Sequence, residues 1–599
     1  MAQQYKTSLS KIISLWAHLQ SRRKRQLLIL TPLMIVASFA EVLSIGAVLP
    51  FLTVLTSPEE VFTNELAQSL IKLLHIKSAQ DLLLPVTLIF IIAVIFSGIT
   101  RIALLWMQTR LSMAIGADFS IKVYERTLYQ PYSMHISRNS SEILVGARMA
   151  EGLVPYFIQP VLLIISSVAI LLAVIITLIA IQPVISFAAF IGLVFVYVTI
   201  VYFTKRRISD NSLVIKEKQS LVTKAIQEGL GGIRDVLIDG TQLVYSKLYK
   251  DAFIPMQVAL ASNQVVGAIP RFGIEALGMV LIAALAYIMI MDSGVTRNNS
   301  TTIPVLGVLA LGAQRLLPIL QQIYFSYITI KGNKESNRDA LRLLDQPMPE
   351  YANVSLHNTI AFESRIVLKD LGFRYTDKSA WVLRNINLEI LKGSRVGFVG
   401  VTGSGKSTLL DIIMALLTPT EGEILVDDTA ITFQNTRGWQ ANITHVPQSI
   451  FIADASILQN IAFGVAPEKV DLIRVKKAAE KAQISGTIAS WDNGYDTVVG
   501  ERGVRLSGGQ RQRIGLARAI YREANVIIFD EATSALDDKT EAAVMQAVET
   551  LSREITILII AHRLTTLKGC DCIFEVSKTS INSIGKYEEI KEMDRKNTR

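Results

Sequence analysis

Residues 395–408 read RVGFVGVTGSGKST, and this stretch predicts a phosphate-binding loop that joins a strand to a helix. It contains the pattern G-x-x-x-x-G-K-[ST], preceded by the strand-like run 395–399. Glycines let backbone N–H groups approach phosphate oxygens at a helix N-terminus. We expect Lys406 to contact the β- and γ-phosphates of a nucleotide, and Ser407 to ligate Mg²⁺. The residues predicted to hold the nucleotide are Gly400, Val401, Thr402, Gly403, Ser404, Gly405, Lys406, Ser407 and Thr408.

A second apolar run, 526–531, reads VIIFDE and ends in two carboxylates. Asp530 is suited to hold Mg²⁺ through water, and Glu531 is suited to orient and polarise an attacking water. Taken alone, this pattern also fits a strand followed by a helix cap. Together with the phosphate-binding loop it favours nucleotide hydrolysis.

The third element is the run LSGGQRQR, which begins at Leu506. With this signature, residues 366–575 resemble the ATPase domains of the ABC family. The resemblance implies ATP and Mg²⁺ as cofactors, with Tyr375 stacking on adenine and Gln448 sensing Mg²⁺ and water. It also implies that Asp537 belongs to the D-loop and that His562 is the switch histidine at the γ-phosphate. The signature residues are Leu506, Ser507, Gly508, Gly509 and Gln510.

The signature has a consequence for assembly. In the family that the chain resembles, it closes over ATP bound by a partner domain, with Ser507 and glycine N–H groups facing the phosphates. The chain carries one such domain, so the resemblance implies a homodimer. Both composite sites would keep Glu531 and hydrolyse ATP. The run 500–503 resembles the exporter-specific contact to the membrane loops.

Composition assigns part of the chain to lipid. The chain has 599 residues, of which 50% are hydrophobic and only 19% charged, and its mean hydropathy is +0.39. These values exclude a disordered chain, a fibrous repeat and a disulfide scaffold. The net charge of +9 fits either a nucleic-acid partner or the basic cytoplasmic loops of a membrane protein. The two cysteines, Cys570 and Cys572, indicate a reducing compartment for that end of the chain.

Six apolar stretches in the first 330 residues are each long enough to cross a bilayer about 30 Å thick. Arg and Lys concentrate before the first stretch, after the second, after the fourth and after the sixth, so both termini are expected in the cytoplasm. The long inside loops are helix-rich in pattern, and their tips near 130–137 and 231–240 are expected to touch a soluble domain. The predicted spans are 27–55, 82–108, 157–181, 183–203, 265–291 and 303–330.

These patterns predict a multi-domain fold. We expect an all-α transmembrane domain of six helices, followed by an α/β P-loop (RecA-like) ATPase domain with antiparallel β and helical subdomains. Residues 1–26 would form a cytoplasmic segment, 27–335 the transmembrane domain, 336–365 a linker and 366–599 the nucleotide-binding domain. Within the first outside loop, 57–76 predicts an amphipathic helix on the outer membrane face, although a helix packed on the spans is equally compatible.

Three arginines interrupt the predicted spans, and they point to an anionic cargo. Arg101, Arg271 and Arg315 are costly in a bilayer, and such residues are functional candidates by default. Guanidinium groups bind phosphate oxygens in pairs, so a ladder of them suits a pyrophosphate headgroup. The alternative is structural pairing with Glu41 in the first span and Glu275, four residues after Arg271.

Six spans followed by one ATPase domain resemble a half-size ABC exporter of the type IV architecture. The 26 residues before the first span are too few for a peptidase domain, so we do not expect a peptide-processing exporter. The runs AIPR at 268–271 and LGAQRLLP at 311–318, with the outer amphipathic helix, resemble the lipid-linked oligosaccharide flippases of bacterial protein N-glycosylation (PglK type). That resemblance implies a homodimer in the bacterial plasma (inner) membrane. Its implied substrate is a polyprenyl-pyrophosphate glycan, moved from the inner to the outer leaflet among membrane lipids.

Other functions fit some of these patterns. Export of a surface polysaccharide or capsule precursor is equally compatible, and so is export of lipid A or hydrophobic drugs. A soluble ABC ATPase acting on nucleic acid would fit the charge, but it does not account for six apolar stretches. We therefore expect no nucleic-acid partner.

Overall fold

A computed structural model of the chain describes residues 15–63, 68, 77–137, 151–181, 183–292, 302–349, 352, 360–500, 503–531, 538–561, 563–577 and 579–589. These residues form two compact units, which are described separately. The first comprises Met1–Tyr129 and Arg138–Pro347, and the second comprises Gln130–Ser137 and Met348–Arg599. The division between Pro347 and Met348 falls inside the predicted linker.

Long helices build the first unit. Their bounds, and those of the short helices between them, are α1 Ser21–Gly46, α2 Val48–Thr56, α3 Pro58–Thr63, α4 Leu83–Leu128, α5 Tyr132–Ser137, α6 Gln159–Ile181, α7 Pro183–Gly231, α8 Ile233–Ile238, α9 Gln242–Asp292, α10 Thr302–Gly332 and α11 Lys334–Leu344. Of these, α5 belongs to the second unit. The helical class predicted for the membrane half is confirmed. Long helices cover five of the predicted spans almost completely, whereas the first, 27–55, is divided between α1 and α2.

Helix length agrees with spans that continue beyond the bilayer. The helices α4, α7 and α9 have 46, 49 and 51 residues, or about 69–77 Å at 1.5 Å per residue. That is more than twice the hydrocarbon thickness. Within the described residues, four segments are both long and apolar enough to span a membrane: Ser21–Thr56, Ala79–Leu128, Glu151–Ile181 and Gln242–Ala276. For the predicted outer amphipathic helix, α3 covers Pro58–Thr63, and most of 64–76 lies outside the described residues.

Two sheets and a set of shorter helices build the second unit. Its strands are β1 Arg365–Phe373, β2 Leu383–Leu391, β3 Arg395–Val399, β4 Glu421–Val426, β5 Thr429–Ala430, β6 Ile443–Val446, β7 Val526–Asp530, β8 Thr556–Ile560, β9 Cys572–Ser577 and β10 Ser580–Gly585. Its later helices are α12 Lys406–Ile413, α13 Thr436–Gln440, α14 Ile457–Ile461, α15 Leu472–Lys481, α16 Ser485–Ala489, α17 Gly508–Tyr521 and α18 Asp538–Glu549.

Strand order separates the two sheets into the predicted subdomains. The smaller sheet is antiparallel, in the order β2-β1-β4-β5. The larger sheet has the order β10-β9-β3-β8-β7-β6, and all its neighbouring pairs are parallel except β10 with β9. Its central strands β7 and β8 are almost wholly buried, as expected for apolar runs covered on both faces. The α/β class with an antiparallel subdomain is therefore confirmed.

A helical layer completes the second unit. Apolar side chains of α14, α15, α16 and α17 are buried in one cluster that continues to the outer face of β7. Val475, Ile484, Ile488 and Ile514 are fully buried there. The signature motif therefore begins a helix that is anchored by its own hydrophobic face.

Candidate functional site

Strand order brings the predicted nucleotide residues to one edge of the large sheet. The strands β3, β8 and β7 are adjacent and parallel, so their carboxyl ends lie together. The loop 400–405 follows β3, Glu531 follows β7, and position 562 follows β8. Ligands bind at this edge in open α/β sheets. His562 itself, like Asp537, lies outside the described residues.

The phosphate-binding loop has the backbone that its glycines permit. Gly400 and Gly405 have φ values of +148° and +101°, which disfavour side chains. A Cβ at Gly400 would also collide with the carbonyl oxygen of Val576. Helix α12 begins directly afterwards at Lys406. The first turn of this helix therefore offers unpaired N–H groups toward the loop.

Lys406 lies inside the loop that it would serve. Its ammonium donates hydrogen bonds to the carbonyl oxygens of Gly400, at 2.7 Å, and Val401, at 3.1 Å. Burial lowers the Lys406 pKa, while the nearby charges of Glu531 and Asp530 oppose that shift. An ammonium group has three donors, so one remains for a phosphate oxygen.

Two adjacent carboxylates end β7. Burial and the neighbouring Glu531 raise the Asp530 pKa, against the opposing effect of Lys406. Glu531 has a positive φ of +50°, and its amide donates to the Ile560 carbonyl at 3.1 Å. Gln448 Nε2 donates to Glu531 Oε2 at 3.0 Å. The predicted Q-loop glutamine and the predicted catalytic glutamate are thus in direct contact.

The donor set at this edge fits Mg²⁺. Ser407 supplies a hydroxyl, Asp530 a carboxylate and Gln448 an amide oxygen. Mg²⁺ prefers hard oxygen ligands of these kinds. A cation there would also offset the mutual repulsion of Asp530 and Glu531 that raises the Asp530 pKa. Among the described residues, no group of three His, Cys, Asp or Glu side chains could hold a metal alone. Mg²⁺ at this edge would therefore take most of its ligands from nucleotide phosphates and water.

Tyr375 lies beside the loop, as the resemblance implies. Its hydroxyl is 3.2 Å from Thr408 Oγ1, and its ring packs edge-on against Phe373 at a centroid distance of 5.1 Å. The side chain is 52% exposed, which leaves a ring face open to stacking.

The signature presents an exposed helix N-terminus. Ser507 caps α17 in a capping box: its Oγ accepts from the Gln510 amide at 3.2 Å, and its own amide donates to Gln510 Oε1 at 2.8 Å. Leu506 is buried, whereas a Cβ added at Gly508 would meet nothing within 4 Å. This N-terminus is therefore accessible to an anion from another molecule.

A short helix from the loop between the second and third predicted spans belongs to the same unit. The segment Gln130–Ser137, containing α5, clusters with Met348–Arg599, as expected for a loop tip that touches the soluble domain. Burial raises the Tyr132 pKa, and the charges of Asp411 and Asp530 and the phenol of Tyr375 add to that effect. Tyr132 therefore lies close enough to the nucleotide site to be influenced by its charges.

Sequence reasoning missed a buried carboxylate between two predicted site segments. Glu541, on α18 four residues after Asp537, accepts hydrogen bonds from Arg563 Nη1 at 2.9 Å and Thr566 Oγ1 at 2.6 Å. Arg563 directly follows the predicted switch histidine. An acidic residue on a helix is ordinarily solvated, so the sequence alone does not predict this role. The role becomes visible only when the fold brings the two distant segments together.

In the membrane half, two arginines converge on one glutamate. Arg315 Nη1 lies 3.1 Å and Arg101 Nη1 3.6 Å from Glu41 Oε1, and Ser97 Oγ donates to Glu41 Oε2 at 2.6 Å. We call Glu41, Ser97, Arg101 and Arg315 the membrane charge cluster. It joins α1, α4 and α10. The predicted pairing with Glu41 is therefore observed for two of the three arginines.

Arg271 behaves differently. Its guanidinium lies 6.0 Å from the centroid of the adjacent Phe272 ring, and no ion pair with Glu275 forms among the described residues. Both Arg271 and Glu275 are exposed. Structural pairing does not account for this third arginine.

Comparison with known proteins agrees with this geometry. The family model for the ABC transporter matches residues 383–534, and the model for the ABC transporter transmembrane region matches residues 27–314. A solved structure of a bacterial Atm1-family ABC exporter with ATP bound is similar over 95% of this chain and 96% of its own, with a TM-score of 0.75. At 23% identity, that likeness concerns the fold alone.

Similar proteins include ATP-dependent lipid A-core flippases and a heterocyst differentiation ATP-binding protein. The ATP-dependent lipid A-core flippase of Chromohalobacter salexigens is 32% identical over 66% of this chain and 67% of its own length. That of Cupriavidus metallidurans is 30% identical over 63% of each chain. The heterocyst differentiation ATP-binding protein HepA of a Nostoc species is 32% identical over 65% of this chain and 62% of its own length. The matched region thus spans about two thirds of these relatives or slightly less.

Proposed function

The chain belongs to the ABC transporter family, as a half-transporter of the exporter type, and we propose that two copies of it form an ATP-driven flippase for a lipid with a pyrophosphate-linked glycan headgroup. The observation that carries the substrate class is the membrane charge cluster. Two arginines and one glutamate leave one uncompensated positive charge within predicted membrane spans; the charge of Arg271 is balanced in number by Glu275, although the two side chains do not pair. Uncompensated charge in a bilayer is expensive, so its presence favours an anionic ligand.

We assign the chemistry of ATP hydrolysis to the carboxyl edge of the large sheet. The loop 400–408 and Lys406 bind the phosphates, and Tyr375 stacks on the base. Glu531 orients and polarises the attacking water. Gln448 holds the Glu531 carboxylate in place through a hydrogen bond from Nε2 at 3.0 Å. From the family resemblance, we assign His562 to the γ-phosphate. Mg²⁺, held by Ser407, Asp530 and Gln448, would neutralise charge that develops on the phosphates.

A homodimer is supported by surfaces that one copy leaves open. The N-terminus of α17, with Ser507 and Gly508, is exposed, and a Cβ added at Gly508 would meet nothing within 4 Å. The tip of the second inside loop, around α8, exposes several large apolar side chains. They are Leu230, Ile233, Leu237, Ile238 and Leu243. Exposed apolar clusters of this kind mark interaction surfaces, and a second copy would cover them.

ATP binding would then draw two ATPase domains together head to tail. The loop tips near 130–137 and 231–240 would transmit that closure to the spans. The cluster arginines would guide the headgroup across while the lipid tail stays in the bilayer, and hydrolysis at Glu531 would reset the dimer. We place the protein in the bacterial inner membrane with both termini in the cytoplasm, in keeping with the distribution of Arg and Lys.

A second candidate substrate comes from the relatives. Two of them are lipid A-core flippases, so lipid A-like lipids are an alternative cargo for this chain. Transport of either lipid would use the same ATPase domains. The two lipids differ in the headgroup that the arginines must recognise.

Transport into proteoliposomes tests the proposal. We expect ATP-dependent flipping of a fluorescent polyprenyl-pyrophosphate glycolipid, which Arg315→Gln and Arg271→Gln abolish while ATP hydrolysis continues. Glu531→Gln should bind ATP and neither hydrolyse it nor flip the lipid. Flipping of lipid A in preference to the pyrophosphate lipid, insensitive to the arginine variants, would favour the second candidate. Flipping of neither lipid would overturn the proposal.

A further inference from the structure

On the basis of the proposed transport of an anionic headgroup, we propose that Glu41 is an internal competitor of the substrate. In the absence of substrate, its carboxylate pairs with the guanidinium groups of Arg101 and Arg315, and it pairs with them again when the headgroup is released. Glu41 therefore sets how tightly the headgroup binds and how readily it leaves.

Burial distinguishes the roles of the three charges. The Glu41 side chain is 0% exposed, whereas the side chains of Arg101 and Arg315 are 38% and 34% exposed. The arginines thus keep open faces from which a ligand can approach, and the glutamate does not. A ligand can reach the guanidinium groups without touching Glu41 and can then compete with it for them.

Ser97 fixes the competitor in place. Its hydroxyl donates to Glu41 Oε2 at 2.6 Å, whereas the two arginines lie closest to the other carboxylate oxygen, Oε1. When the arginines turn toward a phosphate, this hydrogen bond remains. A buried carboxylate that retains a charge-assisted hydrogen bond is less costly to leave without its ion pairs. Exchange of partners is therefore easier than in a simple buried ion pair.

Distances indicate that the pairing is uneven. Arg315 Nη1 lies 3.1 Å from Glu41 Oε1 and Arg101 Nη1 lies 3.6 Å from it, and neither forms a hydrogen bond to that oxygen. One carboxylate is shared by two cations, so the cluster keeps a net positive charge. We infer that the headgroup first engages Arg101 and then displaces Glu41 from Arg315. Pyrophosphate, with several anionic oxygens, can bridge both guanidinium groups at once.

A purely structural ion pair would behave differently. If Glu41 only holds α1, α4 and α10 together, its removal should weaken the protein and leave headgroup affinity unchanged or lower. If Glu41 competes with the headgroup, its removal should strengthen headgroup binding and slow release. The sign of the affinity change therefore separates the two roles.

The test uses the full-length protein in nanodiscs and a fluorescent polyprenyl pyrophosphate as the probe. We expect Glu41→Gln to bind the probe about tenfold or more tightly than the wild type, since one nearby negative charge is removed. ATP-driven flipping of the same probe should fall, because release becomes limiting. Glu41→Asp draws the carboxylate back but keeps its charge, so it should give a smaller gain in affinity and remain folded if Glu41→Gln does not. Glu275→Gln is the matched control, since Glu275 is exposed and unpaired with Arg271; its affinity should equal that of the wild type.

The outcomes distinguish this inference from the proposed function. If the wild type binds the pyrophosphate probe no better than the matching uncharged polyprenol, the proposed substrate class fails. If the wild type prefers the pyrophosphate but folded Glu41→Gln and Glu41→Asp bind it equally or more weakly, the competitor role of Glu41 is wrong and the proposed function stands. Restoration of near-wild-type affinity by adding Arg101→Gln to Glu41→Gln would support direct competition.

Discussion

The buried acid Glu541 offers a sharp test of how the ATPase site is held together. Glu541 is 7% exposed, and the hydroxyl-bearing residue Thr566 is 4% exposed. Hydrogen bonds to charged groups contribute about 1.5–3 kcal/mol each. Replacement by alanine removes the acceptor of Thr566 Oγ1 at 2.6 Å and of Arg563 Nη1 at 2.9 Å. Arg563 is half-exposed, so its guanidinium can bind water in the variant. We therefore expect the free energy of unfolding to fall by about 3 kcal/mol rather than by the full sum of the two hydrogen bonds.

That loss should appear in thermal unfolding and in catalysis. For a unit the size of Met348–Arg599, about 3 kcal/mol corresponds to a melting temperature lower by about 6–12 °C. Because Glu541 connects the segment after Asp537 to the segment after His562, the ATPase kcat should fall by about ten- to a hundredfold. The KM for ATP should change by less than about threefold, since the phosphate-binding loop lies elsewhere.

The assay is differential scanning fluorimetry and steady-state ATP hydrolysis on the full-length protein in nanodiscs. Glu541→Gln keeps one acceptor and should lose about half as much stability. Glu549→Ala, an exposed position on the same helix, is the control. An unchanged melting temperature and kcat in Glu541→Ala would refute the positioning role.

Three further predictions follow from charges and thiols in the second unit. Burial and Asp530 raise the Asp411 pKa from 3.8 to about 6, so ionisation of this carboxyl destabilises the fold increasingly as the pH rises from 3.8 to about 6, and fully above that. Asp411→Asn should therefore raise the melting temperature at pH 7.5 by the equivalent of about 1 kcal/mol, after screening by solvent, and by less at pH 5. An equal gain at both pH values would contradict that linkage. Burial raises the Cys570 pKa to about 12, so its thiol stays protonated at pH 8. Iodoacetamide at that pH should modify the more exposed Cys572 and spare Cys570 until the protein is denatured. Peptide mass spectrometry measures the modification of each cysteine. Arg395 donates to the carbonyls of Glu549 at 3.0 Å and Leu551 at 3.3 Å. Arg395→Met should therefore lower the free energy of unfolding by about 2–4 kcal/mol. A melting temperature equal to that of the wild type would contradict this role of Arg395.

Local pattern was sufficient for the elements that positioned the nucleotide site. A glycine-rich loop between an apolar strand and a helix has few backbone solutions, so RVGFVGVTGSGKST predicted both β3 and α12. The apolar run that ends in Asp530 and Glu531 likewise predicted β7. Tyr375 was assigned from a family resemblance, and its proximity to Thr408 agrees with that assignment.

Contacts between distant segments could not be read from the sequence. Glu41, Arg101 and Arg315 lie on three helices, and only their packing decides which arginine meets which acid. The i to i+4 spacing of Arg271 and Glu275 suggested a pair, yet the two side chains do not join among the described residues, because helical spacing permits a contact without requiring it. Glu541 with Arg563 and Thr566 is a second example.

The central claim is that each ATP is held between two copies, with Lys406 from one and the signature from the other. Two inactive variants test it: Lys406→Ala, which cannot hold phosphate, and Gly508→Glu, which blocks the signature. Both carry Glu531→Gln and different affinity tags, so that mixed dimers can be isolated and their occluded ATP counted. A mixed dimer has one intact composite site, so we predict about one occluded ATP per two chains, whereas either variant alone retains none. Absence of ATP from the mixed dimer, or ATP held by Gly508→Glu alone, would contradict the claim.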